Sequence, residues 1–186
     1  MSDWIRCDQR RRESHLWLDW LKLVPVIREE FLRVIDDDPL FYNETASVGV
    51  LASAASRAGL LALAEYSATK RGTGRGRPHR HGRCDLWVCE VSGKTSWSFE
   101  MKQLFCASNA RDETIEAALE KARRDAKAVH PLEATHRFGG LLLSARAGGS
   151  LNEKTIERIT NFAKRATFAW CFEGGSGPVW LILDQV

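Results

Sequence analysis

Hydrophobic and polar positions alternate most regularly between residues 84 and 102. The apolar positions are Cys84, Leu86 and Val88 before Ser92-Gly93-Lys94, and Trp97, Phe99 and Met101 after it. Since successive side chains of a strand point to opposite faces of a sheet, this period of two predicts two strands. The short polar stretch between them contains a glycine and predicts a tight turn, so the two strands form a hairpin.

The same pattern restricts how the two strands pair. A turn centred on residues 92–93 places Asp85 opposite Glu100, and a turn centred on 93–94 places Asp85 opposite Lys102. Both leave Asp85, Glu100 and Lys102 on one face of the hairpin and the six apolar residues on the other. A loop of odd length would set apolar residues against polar ones, so the pattern favours an even loop. Two carboxylates and a lysine are therefore expected to converge.

Apolar residues elsewhere recur at intervals of three and four, which predicts helices. Helices are expected within the first forty residues, from the N-cap Asn43 to Gly59, over 111–129, and after the N-cap Asn152. Further strands are expected over 60–69, 138–145, 168–172 and 179–183. The strand over 138–145 is largely apolar and should lie at the centre of the sheet.

The first helical segment carries two exceptions to a regular pattern. Pro25 should kink or divide it, because proline cannot donate the helical hydrogen bond. Three consecutive aspartates before Pro39 end the segment, and we interpret them as a solvated helix end without a catalytic role. The whole pattern predicts one α/β domain over 1–186, with a helical N-terminal extension over 1–42 and a C-terminal helix and strands over 146–186.

Composition narrows the setting in which the protein works. Apolar residues make up 44% of the chain, yet no run is long enough to cross a bilayer and no signal-peptide pattern is present, so a cytoplasmic protein without a membrane partner is expected. The five cysteines are scattered and odd in number, which favours reduced, mostly buried thiols over a disulfide framework.

Positive charge is concentrated in one segment, although the formal net charge is only +3. No acidic residue lies between Glu65 and Asp85. The basic residues there are Lys70, Arg71, Arg75, Arg77, Arg80 and Arg83, and they are interleaved with glycines. Such a segment is typical of a flexible loop that contacts a nucleic-acid backbone. The alternative is a hairpin tip that its charges keep soluble.

The converging trio has a clear chemical use. Asp85 and Glu100 would repel each other at close range, and a divalent cation relieves this repulsion while leaving positions for water and a phosphate oxygen. A metal lowers the pKa of bound water, and Lys102 could orient that water or offset negative charge on phosphorus. These are the requirements of phosphodiester hydrolysis. The alternative is an ordinary surface ladder of paired charges.

The segments Asp85-Leu86-Trp87-Val88 and Glu100-Met101-Lys102-Gln103 resemble the motif of the PD-(D/E)XK nuclease superfamily, which is also called restriction-endonuclease-like. The order helix, three strands, helix, strand that we predict over 43–145 is similar to the αβββαβ core of that superfamily. The resemblance implies a central mixed sheet flanked by helices. One position departs from the motif, since Cys84 stands where many members have proline.

Carried over residue by residue, the resemblance implies site roles. Asp85 and Glu100 would bind Mg²⁺, with Mn²⁺ as a substitute, and Lys102 would position water or stabilise charge. A further glutamate would come from Glu44 on the first core helix, with Glu65 as the competing choice. Gln103 would have a supporting role only, because alternation points it to the other face.

The sequence therefore predicts a Mg²⁺-dependent nuclease that acts on DNA, with RNA and a homodimer left open. A catalytically inactive module for nucleic-acid binding or assembly is the alternative, because a fold does not fix an activity. The presence of Asp85, Glu100 and Lys102 favours the nuclease over the binding module. A binding module does not need an aspartate, a glutamate and a lysine together on one face of a sheet.

Overall fold

The computed structural model describes residues 3–72, 76, 78–108, 110–146 and 148–186, and within these ranges the chain forms four α-helices and seven strands. The helices are α1 (Arg12–Ile35), α2 (Glu44–Arg57), α3 (Asp112–Ala128) and α4 (Glu153–Ala163), with a short 3-10 helix at Pro39–Phe41. The strands are β1 (Asp3–Arg6), β2 (Leu61–Arg71), β3 (His79–Cys89), β4 (Ser96–Cys106), β5 (His136–Ala145), β6 (Phe168–Phe172) and β7 (Val179–Gln185).

All of these strands belong to one mixed sheet with the order β1-β6-β7-β5-β4-β3-β2. Strands β4 and β5 are parallel and the other described pairs are antiparallel. Parallel neighbours need a crossover connection, which α3 supplies. Residues of α1 and α2 pack on one face of the sheet, and residues of α3 and α4 pack on the other. The predicted α/β class with a mixed sheet is confirmed, and β5 is central as expected.

The pairing of β3 with β4 follows the even loop expected from the sequence. Leu86 pairs with Phe99 and Cys89 pairs with Ser96, so the turn is centred on residues 92–93. Leu86 and Val88 lie in the same buried cluster as the apolar residues of β4, as predicted. Cys84 does not, because it packs with Ala68 and Val129 in a separate cluster. The expectation that Cys84 belongs to the same apolar face was therefore wrong.

The expectation was that Pro25 kinks or divides the first helical segment. Helix α1 runs unbroken through this residue, so Pro25 does not divide it. Helical positions on both sides of the proline are fully buried, including Trp17, Trp20 and Ile27. Trp17 packs against aromatic rings of β4, β5 and β6. This burial outweighs the cost of roughly 3 kcal/mol for proline inside a helix. Among the described residues, no helix combines the length and apolar character needed to span a membrane.

Strand β1 was not expected from the sequence, because four residues carry too short a pattern to identify a strand. It forms one edge of the sheet and pairs with β6. Trp4 accounts for its position, since its ring packs against Phe168 and Trp170. The pairing adds a buried aromatic contact to the edge of the sheet.

Two adjacent glycines in β5 let the layers approach each other closely. A side chain at Gly139 would collide with the backbone of α3 at Ala122 and Arg123, and one at Gly140 would collide with Met101 and Leu183. Helix α3 can therefore lie directly against β5, beside the strand that carries Glu100 and Lys102. Gly139 thus sets how near α3 comes to that strand, and Gly140 makes room for Met101 and Leu183 on the opposite face.

A buried ion pair joins α1 to the hairpin of β6 and β7. The Arg28 guanidinium lies 2.7 Å from the Asp38 carboxylate, and both side chains are almost completely buried. Arg28 also donates to the carbonyl oxygens of Phe172 and Gly177, while Asp38 accepts from the backbone N–H of Ser176. Interpreting the aspartates as a solvated helix end was thus wrong for Asp38.

Replacing Arg28 with methionine should lower the free energy of unfolding by about 3–5 kcal/mol, because it leaves the Asp38 charge buried without its partner. Urea denaturation at neutral pH measures the change. The matched control is Arg57→Met, which removes the half-exposed pair of Arg57 with Glu30 and should cost at most about 1 kcal/mol. Equal losses of unfolding free energy in the two variants would contradict a stabilising role for the buried pair of Arg28 with Asp38.

Candidate active site at the fork of the sheet

Strands β3 and β4 pair over only four residue pairs and then separate. The last pair is Leu86 with Phe99. Beyond it, β3 continues with β2 as far as His79, and β4 continues with β5 as far as Cys106. Asp85 and Glu100 are the first residues past the last pair, one on each strand. The two predicted carboxylates therefore lie where the sheet divides.

The side chain of Asp85 takes the place of the missing strand pairing. Its Oδ2 accepts a hydrogen bond of 2.6 Å from the backbone N–H of Met101. Opposite Asp85 on β2 lies Glu65, whose φ of 52° falls in the left-handed region that non-glycine residues seldom adopt. Such backbone strain is concentrated at functional sites in many proteins. Here it lies beside the fork.

Lys102 lies among three carboxylates from three elements. Its Nζ is 3.6 Å from Glu44 of α2, 3.9 Å from Asp85 of β3 and 3.6 Å from Asp125 of α3. Burial favours the neutral amine, but the charges of Glu44, Asp85 and Asp125 outweigh it and raise the pKa of Lys102 above its ordinary value. Lys102 is therefore a fixed positive charge near neutral pH.

Glu100 is the most enclosed member of the site. Its side chain is 4% exposed, and one carboxylate oxygen lies 2.6 Å from Nζ of Lys70. Burial raises the pKa of Glu100 to about 7, with the Asp85 charge acting in the same direction and the ion pair with Lys70 opposing both. Glu100 is thus close to half-protonated at neutral pH, and any added cation nearby would favour its charged form.

The structure places Glu44, rather than Glu65, beside the trio. Glu44 begins α2 directly after the N-cap Asn43, and its carboxylate accepts from the backbone N–H of Gln103. Burial raises the pKa of Glu44, and the Asp85 charge adds to the rise while Lys102 opposes it. Glu65 instead lies 3.7 Å from Arg83. Of the two competing glutamates, Glu44 has the contacts that a member of the site needs.

Gln103 fastens α2 to the site strand. Its side-chain amide donates to the Leu40 carbonyl at 2.7 Å and accepts from the Ser47 hydroxyl at 3.2 Å. Together with the bond from its backbone to Glu44, these contacts hold the start of α2 against β4. The supporting role that the sequence predicts for Gln103 stays a prediction.

Two neighbours of the trio were not anticipated. Asp125 lies at the edge of the buried face of α3, three residues after the buried Ala122, and this spacing is a weak signal that the sequence contains. Lys70 was expected to contact a phosphate backbone. Its side chain is instead 11% exposed and paired with Glu100, so a phosphate can reach its ammonium only if that pair opens.

Three further basic residues of the segment lie on the hairpin of β2 and β3, which extends past the fork. Arg71, Arg80 and Arg83 are exposed there, and Arg71 pairs across the ladder with His79. Arg75 and Arg77 lie outside the residues that the structure describes. The three described arginines are accessible to a large anionic partner.

The donor chemistry of the site fits a hard divalent cation. Glu44, Asp85 and Glu100 supply carboxylate oxygens, and the charge of Asp85 raises the pKa of both glutamates. As the side chains stand, no group of three His, Cys, Asp or Glu residues in the described part of the chain is arranged to hold a metal ion. Lys70 and Lys102 are the cations that these carboxylates contact. Metal binding would need Glu100 to exchange its contact with Lys70.

Titration of Glu100 tests these electrostatics. Because its pKa is raised from 4.5 to about 7, the stability that protonation contributes is present in acid and lost as the pH rises through about 7. Asp85→Asn should lower the pKa of Glu100, since it removes a negative neighbour, and Lys70→Met should raise it, since it removes the paired cation. NMR titration of isotope-labelled glutamate carboxyl carbons measures both shifts. An unshifted pKa in the wild type, or changes of opposite sign, would refute the arrangement.

Comparison with known proteins adds no relative to this geometry. No protein-family model, no curated protein and no solved structure matches the chain. The resemblance to PD-(D/E)XK nucleases therefore stays a prediction from the sequence.

Proposed function

We propose that the protein is a metal-dependent nuclease that hydrolyses phosphodiester bonds in DNA. The observation that carries the proposal is that Asp85 and Glu100 directly follow the last pair of β3 and β4, while Lys102 lies 3.9 Å from Asp85 and 3.6 Å from Glu44. An ordinary surface ladder would leave such residues paired on a continuous sheet. Here they lie in a gap between two strands, largely shielded from solvent.

The elements around the trio support the same reading. Helix α2, strands β2, β3 and β4, helix α3 and strand β5 follow one another in the order helix, three strands, helix, strand. This order is similar to the restriction-endonuclease-like core, αβββαβ. The N-terminal helical extension would then be α1, and α4 with β6 and β7 would complete the C-terminal part.

In the proposed site, Asp85, Glu100 and Glu44 would hold Mg²⁺ or Mn²⁺. The bound metal would activate water and polarise a phosphate oxygen. Lys102 would act as a positive charge toward the phosphate and not as a base, because its pKa is raised and it stays protonated. Gln103 would keep Glu44 in place through the contacts that join β4 to α2.

The proposed substrate is DNA, with RNA as the alternative polymer. The exposed Arg71, Arg80 and Arg83 would contact the backbone, since guanidinium groups pair well with phosphate oxygens. They lie on the part of the β2 and β3 hairpin that extends past the fork. A duplex lying along the hairpin would thereby approach the carboxylates.

One observation favours the second candidate, a module that binds nucleic acid without cutting it. The Glu100 carboxylate is closed off by Lys70, and among the described residues no three ligands are ready for a metal. A protein that never binds metal could keep this pair closed permanently. Binding and cleavage must therefore be measured separately.

The decisive assay follows cleavage of plasmid, linear and single-stranded DNA, and of RNA, with Mg²⁺ or with a chelator. We expect cleavage that requires the metal and falls at least about 100-fold in Asp85→Asn and Lys102→Met, because each loses a charge that the reaction uses. The matched control is Glu29→Gln, which removes an exposed carboxylate of α1 far from the fork in sequence and should cleave normally.

Binding of the same DNA, followed by fluorescence anisotropy, separates the two candidates. Tight binding by the wild type without cleavage of any substrate would favour the inactive module. Cleavage that both site variants retain in full would remove the proposed active site.

A further inference from the structure

The side chain of Lys70 contacts Gly82 on the neighbouring strand and Glu100 on a more distant one. Its aliphatic stem crosses over Gly82 on the neighbouring strand, where a Cβ would lie 3.0 Å from Cδ of the lysine. The glycine makes room for the stem. The ammonium then reaches 2.6 Å from Glu100, which belongs to a strand that β2 does not pair with.

The backbone beside Lys70 is fastened to the segment that follows α3. Thr69 receives a hydrogen bond on its carbonyl from the N–H of His130, and its own N–H donates to the carboxylate of Glu133. Lys70 itself bridges to Val129. These contacts fix the end of β2 against the segment that follows α3, at the point where the ammonium of Lys70 reaches Glu100.

Lys70 therefore lies between the proposed metal ligands and the proposed nucleic-acid contacts. It forms an ion pair with Glu100, one of the three carboxylates that the proposed function assigns to the metal. It also lies next to Arg71 and across the ladder from Arg80, which the proposed function gives to the nucleic-acid backbone. A cation at 2.6 Å from a carboxylate competes with a metal for that group. A phosphate close to the hairpin would compete for the ammonium in turn.

We propose that Lys70 gates the metal site, holding Glu100 until a backbone phosphate draws the ammonium away and leaves the carboxylate to the metal. This inference rests on the proposed function and adds regulation to the same site. It makes substrate and metal bind cooperatively, since each is favoured by the state in which the pair of Lys70 with Glu100 is open. A nuclease arranged in this way holds little metal in the absence of nucleic acid.

The test is Mn²⁺ binding, measured by electron paramagnetic resonance at about pH 8, which lies above the pKa of about 7 of Glu100 in the wild type. Lys70→Met keeps an apolar stem over Gly82 and removes the charge. It should bind Mn²⁺ at least about tenfold more tightly than the wild type without DNA, because the competing internal cation is gone. Lys70→Arg restores a cation and should behave as the wild type. Lys121→Met removes an exposed charge from α3 and is the control for net charge.

A phosphorothioate DNA duplex, which resists cleavage, supplies the second arm. It should tighten Mn²⁺ binding by the wild type about tenfold and leave Lys70→Met unchanged. Thermal unfolding of each variant verifies that it is folded. Equal Mn²⁺ affinity in wild type and Lys70→Met would overturn the gate while leaving the proposed function in place. No Mn²⁺ binding by any variant, with or without the duplex, would overturn both.

Discussion

The separation of β3 from β4 after four residue pairs is the constraint on which the site depends. Where two strands part, their backbone polar groups lose ladder partners and must find others, because burying them unpaired costs free energy. The Asp85 carboxylate serves the N–H of Met101, and the Cys84 thiol donates to the carbonyl of Phe99. Polar side chains are thereby drawn into the gap. The polar side chains at this point are therefore explained by the geometry of the sheet as much as by a catalytic role.

The gap also determines how charge is distributed there. Four carboxylates, those of Glu44, Asp85, Glu100 and Asp125, meet two lysines, so negative charge is in excess when all are ionised. Burial makes this excess expensive, and the site responds by raising the pKa of Glu100 toward neutrality. A divalent cation would relieve the same excess in another way. The proposed metal and the raised pKa of Glu100 would therefore relieve the same excess of negative charge.

The local pattern of the sequence was sufficient to predict the hairpin that carries the site. The alternation from Cys84 to Lys102 predicted the hairpin and its even turn, since a shift of one residue would have exposed the buried face. What it could not predict depends on contacts between distant segments. Asp125 lies beside Lys102 because Gly139 lets α3 lie against β5, and the end of β2 that carries Lys70 is bonded to the segment after α3. Asp38 is buried for the same kind of reason, through Arg28 and the distant hairpin of β6 and β7.

A crystal structure with Mn²⁺ and a short phosphorothioate duplex would test the central claim most directly. The account predicts anomalous density for manganese bound by Asp85 and Glu100 at the fork, with the ammonium of Lys70 withdrawn from Glu100 toward a backbone phosphate. Lys70 still paired with Glu100, and no manganese at the fork with the duplex bound, would contradict it.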